Sequence, residues 1–500
     1  MEVRLPVLLL LLVLAAWAGE PARLIVLHTN DLHGQLEPLP PSPIRSVLRG
    51  QPAGGLAHLV SIVQAARREA ADTKASILLL DGGDIFQGTP IGNETRGEAV
   101  VEAMNAAAYD AGALGNHEFD YGFKNMLRLV ERAKFPILAA NMSGTSKVRP
   151  YVLFAPPKVP CRIAVIGVIT PGTPQVTTPG ATRGLKFSDP VPVVRELMKE
   201  VEADIFIVVS HLGRDDELRL ASEVKGLALI LGGHSHTPYV QKVGDTLLLQ
   251  TEGQGVTLGR VDLDIDPDGW KVVRAEGKLL PVDPKATEAD PKVQDVIARY
   301  EKGLDARLKE VVGHLVAPLR RSRELESSSA GNWIADVLRK KGKADVGFMN
   351  KGGIRCDLEK GPVTASDLYR LMPFNDEVMS MDLTGAELRE ILERHFAAGR
   401  FPGLEWSGLF VEVEREGNVV RIVAVEVGGK PVEEARTYRV ATNSFLAAGG
   451  DGFDAFRRGQ RMERHGLVRD ALAGEIAASS PMTPPSELRM QVREKTPPAR

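Results

Sequence analysis

The sequence predicts an α/β protein, and two observations carry that prediction. Five short runs in the first half, rich in Val, Ile and Leu, end abruptly in polar residues: "RLIVLHTNDLHG", "SILLLDGGD", "DAGALGNHEFD", "DIFIVVSHLG" and "LALILGGHSH". Unbroken apolar runs of this kind read as strands buried on both faces. Between them lie stretches whose apolar residues have helical spacing, such as "GGLAHLVSIVQAARREA" and "DPVPVVRELMKEVEA". Strands alternating with helices build a sheet covered by helices.

Taken in order, the chain opens with Arg4 and an apolar run from Leu5 to Trp17, closing on Ala16-Trp17-Ala18, the small-x-small form of a cleavage site. The run is short for a bilayer-spanning helix. Residues 1–18 are therefore expected to be a signal peptide and the mature protein to be exported, periplasmic or extracellular. No second long apolar run follows and residues 491–500 form a polar tail, so no stable membrane anchor is expected. At about 150 residues per domain, 500 residues with 43% hydrophobic content supply cores for two or more domains. A formal charge of −3 gives no global attraction to nucleic-acid polymers or acidic membranes. Any anionic ligand must be held by local charge. Cys161 and Cys356 lie far apart and are expected as free thiols in different domains, although an oxidising compartment permits a bridge.

The polar strand ends hold Asp31, His33, Asp84, Asn116, His117, His211, His234 and His236, including five of the ten histidines. In α/β sheets ligands collect beyond the carboxyl ends of the strands, where these residues fall. A single histidine there is ordinarily a structural hydrogen-bonding group. Five strands ending this way point instead to one site. Carboxylates, imidazoles and an amide oxygen without thiolate suit Zn, Mn or Co, and eight candidates exceed the needs of one ion. Two divalent ions would leave a net positive pocket after Asp31 and Asp84 are counted, which suits a phosphate. A pair of ions about 3.5–4 Å apart acidifies a bound water and stabilises both attacking and leaving oxygens. Hydrolysis of a phosphate ester is the expected chemistry.

In this order and spacing, "NDLHG", "GGD", "GNHEFD", "SHLG" and "GGHSH" resemble the calcineurin-like metallophosphoesterase superfamily, and its 5'-nucleotidase branch in particular. The resemblance implies Asp31, His33, Asp84 and His236 around one metal, and Asp84, Asn116, His211 and His234 around the other, with Asp84 bridging. His236 stands where some relatives carry Gln or Asn. Asp81 is expected to shape the turn rather than bind metal, and His28, His58, His314, His395 and His465 to be structural. His117, held by Asp120, would stabilise charge on the phosphoryl oxygens and assist the leaving group. Adjacent side chains leave the backbone in different directions, so Asn116 can face a metal while His117 faces the substrate phosphate, as the resemblance implies.

In the second half, the charged stretch "ADPKVQDVIARYEKGLDARLKEVVG" reads as a helical connector. Beyond it, Gly352 and Gly353 in "NKGGIR" let the backbone approach a ligand, flanked by Asn350 and Arg355. With "LMPFNDEV" and "ATNSFLAAGGDGF", this segment resembles the C-terminal substrate domain of secreted 5'-nucleotidases. That resemblance implies that Asn350 and Arg355 contact the nucleotide, that Phe374 and Phe445 stack on the two faces of the base, and that Asp451 accepts from ribose hydroxyls. It adds Arg323 in "RELES" as a further substrate arginine.

The implied layout is a four-layered α/β/β/α metallophosphoesterase domain over 19–285, a helical linker over 286–313 and a smaller α/β substrate-binding domain over 314–490. In relatives with this layout the second domain rotates to carry substrate to the metals. The implied reaction is release of phosphate from nucleoside 5'-monophosphates, and from di- and triphosphates, by a hydroxide bridging the two metals. UDP-sugars and 2',3'-cyclic nucleotides are alternative substrates within the superfamily. A thiosulfohydrolase-like enzyme and a silent nucleotide-binding protein stand further off.

Overall fold

The computed structural model describes residues 20–42, 45–304, 306–322, 325–397 and 403–494. The expected signal peptide and Arg323 lie outside the described residues. Two six-stranded sheets face one another in the first half. Strands Ala22–Thr29, Ser76–Asp81 and Ala111–Ala113 run parallel at the centre of one, and Ile163–Ile169, Ile205–His211 and Leu227–Leu231 at the centre of the other. Strand Ala22–Thr29 shows why its sequence is unbroken by polar residues. Its Leu24 and Val26 enter the core between the sheets, while Ile25 and Leu27 pack outward on the helical layer. Helices Leu56–Asp72 and Glu98–Ala107 cover the first sheet, and Pro190–Glu200 and Arg214–Glu223 cover the second. The result is the four-layered α/β/β/α arrangement, with the carboxyl ends of both sets of parallel strands opening on the same side.

The stretch expected as a connector holds a helix that packs on the first domain. Asp290 caps helix Pro291–Glu301 by accepting from the amides of Lys292 and Val293, both at 3.1 Å. Val293 and Ile297, one turn apart, are fully buried among the helices of the first sheet. This helix is thus a packed part of the first domain.

The second domain is built on a five-stranded mixed sheet, in the order Leu404–Ser407, Val346–Asn350, Thr437–Asn443, Glu377–Thr384 and Gln460–Leu467. Helices Ser329–Lys341 and Gly385–Ala397 pack on it. The expected polar tail begins later than residue 491. Met490–Glu494 pairs in parallel with strand Leu409–Glu416, and its Met490 and Val492 join the apolar core. Apolar and polar residues alternate there, as a strand with one buried face requires. Cys161 and Cys356 are both free and lie in different domains. Among the described residues, no helix is long and apolar enough to cross a membrane.

Candidate metal and substrate site

The predicted metal ligands come together as two groups, Asp31 with His33 and His236, and Asp84 with His211 and His234. Within each group the ligand atoms lie within 4.8 Å of one another. His33 Nε2 is 3.0 Å from His236 Nε2, and His236 Nε2 is 3.3 Å from Asp31 Oδ1. On the other side, His211 Nε2 stands 3.1 Å from Asp84 Oδ2 and 3.2 Å from Asn116 Oδ1. Asp84 Oδ2 is also 3.9 Å from His33 Nε2, so it faces both groups. Carboxylate oxygens, imidazole nitrogens and an amide oxygen with no thiolate fit borderline divalent ions, one to each group.

This convergence strains the backbone. Asp31, His33, Asp84, His234 and His236 take φ between 49° and 74°, a conformation costing about 1–3 kcal/mol per residue that persists where surrounding contacts enforce it. Those contacts are present. The loops after the first two strands are laced by backbone bonds, Asp31 N to Gly83 O at 2.9 Å and His33 N to Asp84 O at 3.0 Å. Gly115 admits the next loop, because a Cβ there would come within 2.2 Å of Asp84 Oδ1.

Buried carboxylates brace the loops from below. Glu118 accepts from the amides of Asp84 at 3.0 Å, Ile85 at 2.9 Å and Gly115 at 2.7 Å, tying two ligand-bearing loops together. Glu217 accepts from Ser210 Oγ, Gly233 N and Tyr239 Oη at 2.9, 3.1 and 2.6 Å. Burial pushes Glu118 and Glu217 each up to about 7. Asp81 accepts from Thr29 Oγ1 at 2.6 Å and Gly83 N at 2.8 Å, and burial pushes it up to about 8. It shapes the turn, as the sequence predicts. The histidines expected to be structural include His28, whose Nε2 meets Gly232 O at 2.9 Å, and His58, whose Nδ1 meets Thr287 O at 2.7 Å.

His117 opens a 3-10 turn, His117–Phe119, which brings Asp120 back to it. Asp120 Oδ2 is 2.7 Å from His117 Nδ1, and Thr177 Oγ1 donates to Asp120 Oδ1 at 2.9 Å. Burial disfavours the His117 cation, but Asp120 and Asp84 outweigh burial and hold the imidazole above its ordinary value. Its Nε2 faces Asp84 Oδ2 at 3.9 Å, on the open side of the ligand cluster.

The loops of the second domain that are expected to hold substrate close the other side. Asn350 donates from Nδ2 to Asp451 Oδ2 at 3.0 Å and accepts from Asn443 Nδ2 at 2.9 Å. Asn443 in turn caps the turn bearing Phe445, accepting from Leu446 N at 2.8 Å. Asp376 accepts from Ser444 Oγ at 2.7 Å and from Phe445 N at 3.1 Å. Gly450 lets the Phe445 ring lie flat against the backbone, where a Cβ would come within 2.4 Å of the ring. Burial pushes Asp376 and Asp451 each up to about 6.

The two domains meet at the site. Arg355 Nη2 is 3.0 Å from His33 Nε2, and the Phe374 ring centroid is 5.6 Å from that of His117. One cavity of about 790 Å³ is lined by Asp84, Asn116, His117, Asp120, His234 and His236 from the first domain and by Asn350, Gly352, Gly353, Arg355, Phe374, Phe445 and Asp451 from the second. Asp31, His33 and His211 are buried at 0%, 2% and 0% exposure and complete the ligand groups from within. The sequence did not point to Glu118, Glu217, Thr177 or Asp376, whose partners are mainly distant amides and hydroxyls.

Residues 24–238 match the family model of calcineurin-like phosphoesterases, and residues 311–458 match that of the 5'-nucleotidase C-terminal domain. A 5'-nucleotidase-related protein of Glossina morsitans morsitans is 30% identical, over 96% of this chain and 96% of that protein. A trifunctional nucleotide phosphoesterase of Bacillus subtilis is also 30% identical over 89% of this chain, which spans only 33% of that longer protein. Among solved structures, a 5'-nucleotidase precursor from Thermus thermophilus is 29% identical, with a TM-score of 0.84 covering 94% of this chain and 99% of that one. Fold, ligand groups and relatives agree: the chain belongs to the 5'-nucleotidase family of metallophosphoesterases, which are hydrolases.

Proposed function

We propose that this chain is an exported phosphohydrolase releasing phosphate from nucleoside 5'-monophosphates at a pair of divalent ions, and also from 5'-di- and triphosphates. The observation that carries this reading is one cavity lined by members of both ligand groups, Arg355 and the two phenylalanines. Export is supported by the apolar run Leu5–Trp17. The two ions, Zn, Mn or Co, would supply an acidified water and neutralise charge on the phosphate.

The protein's own groups perform the remaining tasks. Asp31, His33 and His236 would hold one ion and Asn116, His211 and His234 the other, with Asp84 placed to serve both. Arg355 reaches across from the second domain to clamp the phosphate with a charge-assisted contact. His117 stabilises charge on the phosphoryl oxygens and passes a proton to the departing ribose oxygen, while Asp120 fixes its ring. Phe374 and Phe445 sandwich the base, a contact worth about 1–3 kcal/mol that tolerates different bases. Asp451 accepts from the ribose hydroxyls and Asn350 orients that carboxylate.

The test is phosphate release by metal-loaded enzyme from a panel of nucleoside monophosphates, ATP, UDP-glucose, 2',3'-cyclic nucleotides and a generic phosphate ester. Monophosphates are expected to have the highest kcat/KM, with chelation abolishing release. No release from any member would overturn the reading, and a preference for UDP-glucose or cyclic nucleotides would reassign the substrate.

A further inference from the structure

Resting on the reading of a nucleotide held between the domains, we propose that Asn93 is a positioning residue that docks the base-holding loop on the metal loop. Turnover of a nucleotide then depends on Asn93, whereas turnover of a small phosphate ester does not. Asn93 lies in the five-residue helix Pro90–Glu94 of the first domain and is 2% exposed. Its amide reaches both ways. Oδ1 accepts from Gly88 N at 3.0 Å, and Nδ2 donates at 2.7 Å to the carbonyl of Pro373, the residue before Phe374.

On the metal side, the carbonyl of Gln87 meets His33 Nδ1 at 2.7 Å, which fixes the ring so that Nε2 faces the other ligands. Gly88 then runs so close to His33 that a Cβ on it would come within 2.6 Å of the His33 carbonyl oxygen. Thr89 Oγ1 donates to Gly34 O at 2.7 Å, completing the wrap. On the substrate side, Phe374 rests against His117, and Arg355 Cζ is 5.9 Å from the centroid of its ring. One buried amide thus joins the turn that orients a ligand imidazole to the carbonyl that precedes a base platform. Leaving either end of such an amide unpaired in a buried interface is costly.

The receiving loop is shaped by its own domain. Arg469 Nη1 donates to the carbonyls of Met372 and Phe374 at 2.9 and 3.1 Å, and its Cζ stands 3.9 Å from the centroid of the Tyr369 ring. A flanking contact across the boundary is partly exposed, Tyr369 Oη donating to Glu94 Oε1 at 3.1 Å. The loop therefore arrives formed, and Asn93 supplies the docking.

The decisive variants are Asn93→Ala, which removes both bonds, and Asn93→Asp, which keeps the acceptor for Gly88 N and removes the donor to Pro373. Phosphate release is measured from AMP and from glycerol 2-phosphate, which has no base, together with bound metal and Tm. Both variants are expected to lower kcat/KM for AMP by about tenfold or more, the scale of a lost positioning contact. Glycerol 2-phosphate turnover and metal content should stay at the level of the unaltered enzyme. Should the alanine variant fail to fold, the aspartate variant decides. Parallel loss of both activities with loss of metal would overturn the proposal, since Asn93 would then only brace the metal loop; unchanged AMP kinetics in Asn93→Asp would overturn it too. Failure of the unaltered enzyme to act on AMP would sink the functional reading instead. Amide exchange over residues 374–376 would then settle the docking: faster exchange in Asn93→Asp upholds it, and unchanged exchange overturns it.

Discussion

The two halves of the site are built by opposite means. The half proposed to hold metal is internal: Asp31, Asp84, Asn116 and His211 are at most 1% exposed, and its loops are tied to one another and to buried carboxylates. The half proposed to hold substrate is partly exposed at Arg355, Phe374 and Phe445, and each of these is bonded within its own domain, Arg355 also reaching His33 across the boundary. The difference follows from the tasks. Metal ligands must be fixed to a few tenths of an ångström and tolerate backbone strain to get there. A nucleotide platform must admit and release its ligand, so it sits where two domains touch.

Breaking the metal half should cost most. Asp84→Asn keeps the volume of the shared carboxylate but removes its charge, and should lower kcat by more than about 10³-fold, or about 4 kcal/mol of barrier, with loss of bound metal seen by mass spectrometry. A drop confined to KM would mean that Asp84 serves the substrate instead. Glu118→Gln puts an amide where three backbone N–H groups converge, and should weaken metal affinity or turnover by about 10–100-fold; metal titration against kcat reads it, and unaltered affinity and turnover would show the brace to be dispensable.

The substrate half should respond more gently. Phe445→Ala should raise KM for nucleotides by about tenfold, within the stacking range of about 1–3 kcal/mol, and leave glycerol 2-phosphate turnover alone. The smallest effect is one of pH. The Asp451 carboxyl, held up to about 6 by burial, is ionised above that pH and protonated below it. Protonation removes an acceptor from the ribose, so KM should rise by up to about tenfold as pH falls from 7 to 5. In Asp451→Asn that rise should flatten; an unchanged slope would remove Asp451 from the ribose contact.

The same contrast governs how much the sequence discloses. Strand ends are legible because an apolar run that stops at a polar cluster marks both the strand and its loop, and Asp31, His33, Asp84, Asn116, His211, His234 and His236 all follow that rule. The "NKGGIR" and "GGDGF" segments are legible as glycine turns beside polar groups. Glu118 is not, because its partners are amides up to 34 residues away in sequence and nothing local distinguishes it from an exposed glutamate. Asn93 is hidden for the same reason, since Pro373 stands 280 positions further along the chain. The charged stretch holding helix Pro291–Glu301 reads as a connector, and only tertiary packing reveals that Val293 and Ile297 are core residues.

The central claim is the division of labour within "GNHEFD", with Asn116 serving metal and His117 serving the substrate. The most direct measurement is bound metal and single-turnover phosphate release from AMP in His117→Ala. Metal content equal to that of the unaltered enzyme, with release slowed about 10²–10⁴-fold, is the result predicted. Loss of an ion, or release at the unaltered rate, would contradict it.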